Sequence, residues 1–484
     1  MSSHTRWRVH LLALVAYTLL ALALTWPMAT HWGSHVPGNG VDDPPLTWNL
    51  WWVPYATLEL GTNPFDCDYL FYPLGINLAL YTLTVLNAFL SIPLQAVLGL
   101  IPASNILLLS SLVLSAYGAF LLASYLLSSG RPQQLPGTAK LGATLPALGA
   151  GLVYGFAASK LAYASLGQWN IASSQWIPFY VLYLLKTGEN PRRWRFPLLA
   201  VLFLLMQGYA ELTYATFLVL FTAVWVLWQA VVLLKERQFA QLGRLALNLA
   251  LMGAVFAAGL SPMLARMLPD LRAAGDILVE GTGFAEAYSA DLLGFLVPSS
   301  NHPVFGALPE RFHFHYGVGQ HVYAGYSLLI LAVLGVVGGW RRRTVRFWTL
   351  AAAVFWLLAM GPTLQVNGVD TRLPLPFALV ARLPFFEGNR YPSRYSVMLL
   401  LSLAMLVTFG LSRLFSWHTS SKENGRWRPS RLIAPLLLVL FTFEHLSIPL
   451  PLSDMGVPDV YQALVQEMPY DSTLLDLPVA WRNG

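Results

Sequence analysis

Long apolar runs, broken by short polar segments rich in proline and tryptophan, set the layout of this 484-residue chain. A helix that crosses the hydrocarbon core needs about 20 apolar residues. Runs of that kind fall near residues 9–29, 104–128, 141–159, 171–186, 196–210, 212–234, 245–262, 325–340, 345–361, 394–415 and 432–449. The pattern predicts an all-α polytopic membrane protein with about eleven transmembrane helices. The first run follows Arg6 and Arg8 and resembles a signal peptide. It is long enough to span and lacks a small-x-small cleavage site before the polar loop, so a retained anchor is expected.

The segment 83–101 is ambiguous: it is apolar enough to span, yet Asn87, Pro93 and Gln95 suit a helix lying along the interface. Charge decides between the two. With 83–101 interfacial and the N-terminus cytoplasmic, about two thirds of the 29 Lys and Arg fall on the cytoplasmic side, including Arg192, Arg193, Arg195 and Arg341, Arg342, Arg343. Only Glu189, Glu236 and Glu423 of the 23 acids join them. A span at 83–101 would reverse those clusters against the positive-inside rule. The resulting plan is a transmembrane unit over 1–449, with outer segments 30–103, 263–324 and 362–393. Residues 450–484 read as the start of a small extracytoplasmic C-terminal segment. Aromatic and proline residues in the outer loops (Trp48, Trp51, Trp52, Tyr55, Pro73) suit amphipathic helices at headgroup level.

Composition agrees: 56% hydrophobic, 11% charged, mean hydropathy +0.56. A soluble domain carries about a quarter charged residues. The net charge of +6 is dispersed in short clusters between apolar runs, which reads as topology and not as a nucleic-acid face. Cys67 is the single cysteine, which excludes intramolecular disulfides and cysteine-rich metal sites. No P-loop, GxGxxG after a strand, HExxH or GxSxG elbow is present.

Candidate chemistry gathers in the outer loops. Asp42 and Asp43, followed by Pro44, Pro45 and Trp48-Asn49-Leu50-Trp51-Trp52, put two carboxylates at the membrane–water boundary. A carboxylate there can take the proton of an acceptor hydroxyl; the bland alternative is a solvated turn. Asp66 and Asp68 are second-line candidates with a turn role as the alternative. Arg390-Tyr-Pro-Ser-Arg394 supplies two guanidinium forks suited to a lipid phosphate, against simple snorkelling. Glu211 lies at an apolar helix end, where it either serves function or caps a sharp turn. Gln168, Asn170 and Tyr163 fall in a short loop at 160–170 and can bond a sugar. Asp291 sits in Tyr288–Pro298, which reads as an amphipathic surface helix. In the loop 263–324, Glu280, Glu286, His302, His313, His315 and His321 match no zinc spacing.

Several segments together resemble the GT-C superfamily of integral-membrane glycosyltransferases, in particular its large bacterial members. They are Gly38–Trp52, Asn63-Pro-Phe65, Tyr69–Gly75, Gln175–Tyr180, Ala290–Ser299 and Arg390–Arg394. The resemblance covers most of the chain, though each motif is diffuse. It implies a first outer loop bearing the catalytic carboxylate (Asp42 or Asp43), surface helices, a long fourth outer loop and a polyprenyl-phosphate sugar donor. Arg390 and Arg394 would hold the donor phosphate, with Glu211, Asp291, Gln168 and Asn170 as further substrate-binding candidates. Some members of the superfamily use a divalent metal; without a second acidic cluster here, no metal or other cofactor is expected.

The function expected is transfer of a sugar, with inversion, from a polyprenyl-phosphate carrier to an extracytoplasmic acceptor (glycan, lipid or protein). The setting would be the bacterial inner membrane, with membrane lipids and no nucleic acid as partners. The rivals are a transporter or flippase of a lipid-linked saccharide and a non-catalytic envelope-assembly protein. Acids outside nearly charge-free spans favour surface chemistry over translocation.

Overall fold

A computed structural model describes residues 3–129, 138–273, 284–314, 322–383, 386, 389–419, 432–469 and 472–475. The order begins α1 (Ser3–Leu24), β1 (His35–Pro37), α2 (Asp43–Pro54), β2 (Asp66–Cys67), β3 (Ile76–Asn77), α3 (Val85–Leu98), α4 (Leu100–Ser129) and α5 (Thr138–Gly155). Next come α6 (Ala158–Ser165), α7 (Trp169–Ala172), α8 (Trp176–Glu189), α9 (Arg195–Ala210), α10 (Leu212–Lys235), α11 (Phe239–Ala273) and α12 (Phe284–Ala287). The chain then forms α13 (Tyr326–Gly339), α14 (Arg343–Ala359), β4 (Thr363–Val366), β5 (Val369–Pro374), α15 (Phe377–Val380), α16 (Ser396–Thr419), α17 (Ile433–Glu444), β6 (Leu452–Asp454) and α18 (Asp459–Glu467).

Each of the eleven predicted spans coincides with a helix. Among the described residues, six stretches are long and apolar enough to cross a membrane: Trp7–Leu24, Leu100–Ser128, Thr144–Ser165, Leu212–Lys235, Phe239–Arg272 and Pro392–Phe415. The other predicted spans form shorter helices: α8 of 14 residues, α9 of 16, α13 of 14, α14 of 17 and α17 of 12. The chain is a multi-pass membrane protein in which long and short helices share one bundle. Its centre is α16, 89% buried over its spanning stretch and packed on α13, α5 and α14, whereas α1 and α11 are 22% buried and lie outside.

α3 has 14 residues, about 21 Å of helix, which is short of a hydrocarbon core about 30 Å thick. Its polar residues Asn87 and Ser91 are buried. Gln95 turns inward and donates from Nε2 to the Leu50 carbonyl of α2 at 2.6 Å. That carbonyl lacks its usual partner four residues on, because Pro54 has no N–H. Gln95 thus satisfies a group that the α2 sequence itself leaves orphaned.

α11, with 35 residues, is about 52 Å long and continues beyond the bundle to reach the loop between α1 and α4. Arg266 pairs with Asp66 at 3.1 Å, and Asp270 accepts from the Asn77 side chain at 2.8 Å. The C-terminal segment docks on the same loop: β6 pairs antiparallel with β1, His35 opposite Asp454 and Pro37 opposite Leu452. The region 160–170, expected as a short polar loop, instead forms α6 and α7, with every residue of α6 buried. The Tyr288–Pro298 surface helix is absent too. Within it only a 3-10 turn forms, at Leu293–Phe295, and α12 ends just before it at Ala287.

Candidate functional site

The site is built on the turn between β1 and α2. Pairing of β1 with β6 continues into a bond from the Gly38 N–H to the Pro451 carbonyl at 3.0 Å, so the turn starts from a fixed strand end. Pro44 and Pro45 open α2, where the first N–H groups have no intrahelical partner to lose. The two aspartates, equivalent by sequence, are then sharply distinguished. Asp43 is fully buried, and its Oδ1 accepts from the backbone N–H groups of Asn39 (3.2 Å) and Gly40 (2.9 Å). Two glycines make room for it. A Cβ on Gly38 would lie 2.3 Å from the Asp43 carboxyl carbon, and one on Gly167 would lie 2.6 Å from the Asp43 Cβ. Gly167 also holds φ +76°, a left-handed conformation that suits glycine. Asp43 forms the turn through Oδ1, and its Oδ2 is buried without a hydrogen-bond partner.

Asp42, one residue earlier, is partly exposed. Its Oδ2 accepts a hydrogen bond from Gln168 Nε2 at 2.8 Å. Two residues further along α7, Asn170 Nδ2 donates to Glu211 Oε2, also at 2.8 Å. The four-residue helix α7 and the residue that precedes it, Gln168, therefore steady two carboxylates that are far apart in the chain. Glu211 is the single residue between α9 and α10; its extended backbone breaks the two helices, and its Oε1 receives the Thr213 N–H at 3.4 Å. It caps the turn and forms part of a cavity wall at once. The cavity, about 190 Å³, lies between residues 79–85, the α9–α10 junction and Met263 and Met267 of α11. Tyr81 lines it and connects it to Asp42: burial, and then the nearby Asp42 charge, push the Tyr81 phenol up to about 12.

The two arginines part company. The Arg390 guanidinium lies over Phe284, 5.5 Å from the ring centre. Arg394 lies over Tyr391 at 4.0 Å and towards Tyr163 of α6 at 6.0 Å. Arg394 Nε is buried without a hydrogen-bond partner. Burial pushes the Tyr391 phenol up to about 12, against the lowering effect of Arg394. Tyr214, which donates to the Ile171 carbonyl at 2.7 Å, is within electrostatic range of Tyr163, Arg394 and Glu211. Arg394 and the Asn170–Glu211 pair thus share one neighbourhood, walled by tyrosines.

Asp291 is elsewhere. It is fully buried; Oδ1 accepts from Leu293 N and Oδ2 from Gly368 N, both at 2.8 Å, which pins its loop to the β4–β5 turn. His302 is likewise consumed: Nδ1 accepts from the N–H groups of Val304 and Phe305, and Nε2 donates to the Phe443 carbonyl at 2.8 Å. His313 bonds through its backbone to Asn367. Glu280, His315 and His321 lie outside the described residues. Among the described residues no three His, Cys, Asp or Glu side chains gather as metal ligands. Asp66 is tied to Arg266. Lys160, which stands outside the sequence-derived candidates, is 4% exposed in α6 with Nζ unpartnered and 4.4 Å from the Tyr154 ring centre. The signal was present: it is the one charge in the apolar stretch 144–165.

No family model matches the chain, and no curated protein matches it in sequence. Among solved structures, it is similar to the archaeal oligosaccharyltransferase AglB from Archaeoglobus fulgidus, determined with an inhibitory peptide and a dolichol-phosphate. The identity is 13% and the TM-score 0.47, over 97% of this chain and 59% of that one. The present chain therefore spans about three fifths of the length of that protein.

Proposed function

We propose that the protein is a membrane glycosyltransferase that moves a sugar from a polyprenyl-phosphate carrier to an acceptor hydroxyl on the extracytoplasmic side, with Asp42 as general base. The observation that carries the proposal is the division of labour in the aspartate pair. Asp43 is held in the turn through Oδ1, whereas Asp42 is partly exposed, oriented by Gln168, and near enough to Tyr81, which lines the cavity, for its charge to act on the phenol. Asp42 Oδ1 takes the acceptor proton as the acceptor oxygen attacks the anomeric carbon. The bond from that carbon to the carrier phosphate breaks, and the departing phosphate keeps the electron pair. A single displacement inverts the anomeric centre. Arg394 meets the charge that develops on the phosphate. The motif resemblance to GT-C enzymes supports the same roles for the first outer loop and for Arg394.

The reaction is proposed to need no metal. Asp42 accepts from the Gln168 amide and Glu211 from the Asn170 amide, and among the described residues no three His, Cys, Asp or Glu side chains gather as metal ligands. Native mass spectrometry of gently purified protein tests the donor class. A retained polyprenyl phosphate is expected, and a protein carrying only ordinary phospholipids would argue against the reading.

A further inference from the structure

The loop between α2 and α3 carries a hairpin that the site does not use. Between its strands, β2 and β3, the turn contains Tyr69-Leu70-Phe71-Tyr72-Pro73-Leu74. All six residues are exposed, Tyr72 by 65% and Leu74 by 91%, and none is charged. A contiguous apolar patch on a protein surface marks a contact face. The turn is also braced. The Tyr69 hydroxyl meets that of Tyr55 at 3.0 Å, and the Tyr69 ring centre lies 5.4 Å from that of Trp52.

The base of the hairpin fixes its height. Asp66 and Asn77 stand opposite each other in the strand register, and α11 holds both. Arg266 pairs with Asp66 at 3.1 Å, and Asn77 Nδ2 donates to the Arg266 carbonyl and to Asp270, each at 2.8 Å. Along α11 the nearest charge before Arg266 is Arg244. The uncharged stretch between them, residues 245–265, makes about 32 Å of helix, which matches a hydrocarbon core about 30 Å thick. Arg266, and with it the hairpin base, therefore stands at a membrane boundary. From Asp66 to Tyr69 an extended chain reaches about 10 Å, so the turn begins beside that boundary. Tyrosine suits this level, with its ring in the apolar layer and its hydroxyl in the wet one.

We propose that the Tyr69–Leu74 turn is a membrane-seating element whose apolar side chains insert among the lipids at the Arg266 end of α11. The occupant is a lipid surface and not a protein: the length of α11 sets the hairpin at the bilayer edge, and the charges Asp66, Asp68 and Arg266 lie at its base, none at its tip. The inference does not use the transferase reading. The test places a nitroxide at Leu74→Cys in full-length protein, in nanodiscs of phosphatidylethanolamine and phosphatidylglycerol. The natural cysteine, Cys67, is buried and is removed as Cys67→Ser. The label is expected to collide more often with oxygen, which enters lipid, than with a water-soluble nickel chelate. The same preference is expected of a label at Leu12→Cys, on the 67% exposed face of the spanning helix α1. A Leu74→Cys label that meets the nickel chelate more often stands in water and overturns the proposal. A label shielded from both lies under protein, a second copy or another partner, and overturns it too. Should the labelled variants not fold, wild-type protein is irradiated in nanodiscs that contain a phospholipid with a diazirine in its acyl chain. Lipid adducts on residues 69–74 are expected, and their absence beside labelled α1 overturns the proposal.

Discussion

Gln168 Nε2 donates to Asp42 Oδ2 over 2.8 Å, joining groups 126 residues apart. The bond holds one carboxylate oxygen and leaves Oδ1 for chemistry, which makes Gln168 a positioning residue. Gln168→Leu should fold normally but lower the turnover of sugar transfer about tenfold, since small misplacements of a base cost rate steeply. KM for the donor should change little. A Gln168→Leu enzyme with wild-type turnover would show that the bond does not serve the reaction.

The aspartate pair should separate in two assays. Asp43→Asn keeps the shape but weakens the bonds to Asn39 and Gly40, and should lower stability by about 1–3 kcal/mol. Asp42→Asn touches a partly exposed group and should leave the thermal midpoint close to wild type. Thermal denaturation followed by tryptophan fluorescence distinguishes the two.

Gly167→Ala addresses the same turn from the other side. The new Cβ would meet the Asp43 backbone nitrogen at 2.7 Å at a residue with φ +76°. Strain of about 1–3 kcal/mol is expected, with loss of transfer because Asp42 moves with its neighbour. Limited proteolysis between residues 38 and 46 would report the loosened turn.

Arg266 and Asp66 serve as a control. Their ion pair is well exposed, 45% and 50%, and exposed pairs contribute about 0–1 kcal/mol. Arg266→Ala should therefore shift stability within that range and leave transfer intact. A large loss of activity would mean that α11 positions the cavity through this contact.

EDTA tests the metal-free chemistry. On the metal-free proposal, transfer should persist at full rate after chelation. Loss of activity restored by a divalent cation would contradict the metal-free proposal.

Much of this architecture is written in hydropathy. Each apolar run became a helix, because a 3.6-residue repeat of lipid-compatible side chains has few alternatives in a membrane. The candidate residues were legible as types: Asp42, Glu211, Gln168, Asn170 and Arg394 fall around one neighbourhood. Their pairing was not legible. Whether Gln168 meets Asp42 or Asp43 depends on how β1, β6 and α7 pack, and sequence spacing carries no trace of that. Asp291 illustrates the converse. An acid in an amphipathic-looking run is taken up by two backbone N–H groups, one of them, Gly368, in the β4–β5 turn more than seventy residues on. Lys160 was visible as a charge in an apolar stretch, but its burial depends on the break at Phe156-Ala157 that starts α6.

The central claim is that Asp42 takes the acceptor proton. Its most direct test is transfer of a radiolabelled sugar from a polyprenyl-phosphate donor in proteoliposomes, comparing wild type with Asp42→Asn. A positioned general base contributes about 10²–10⁴-fold. The account predicts a turnover loss of that size in Asp42→Asn, with donor binding and folding preserved. Turnover in Asp42→Asn equal to wild type would contradict it.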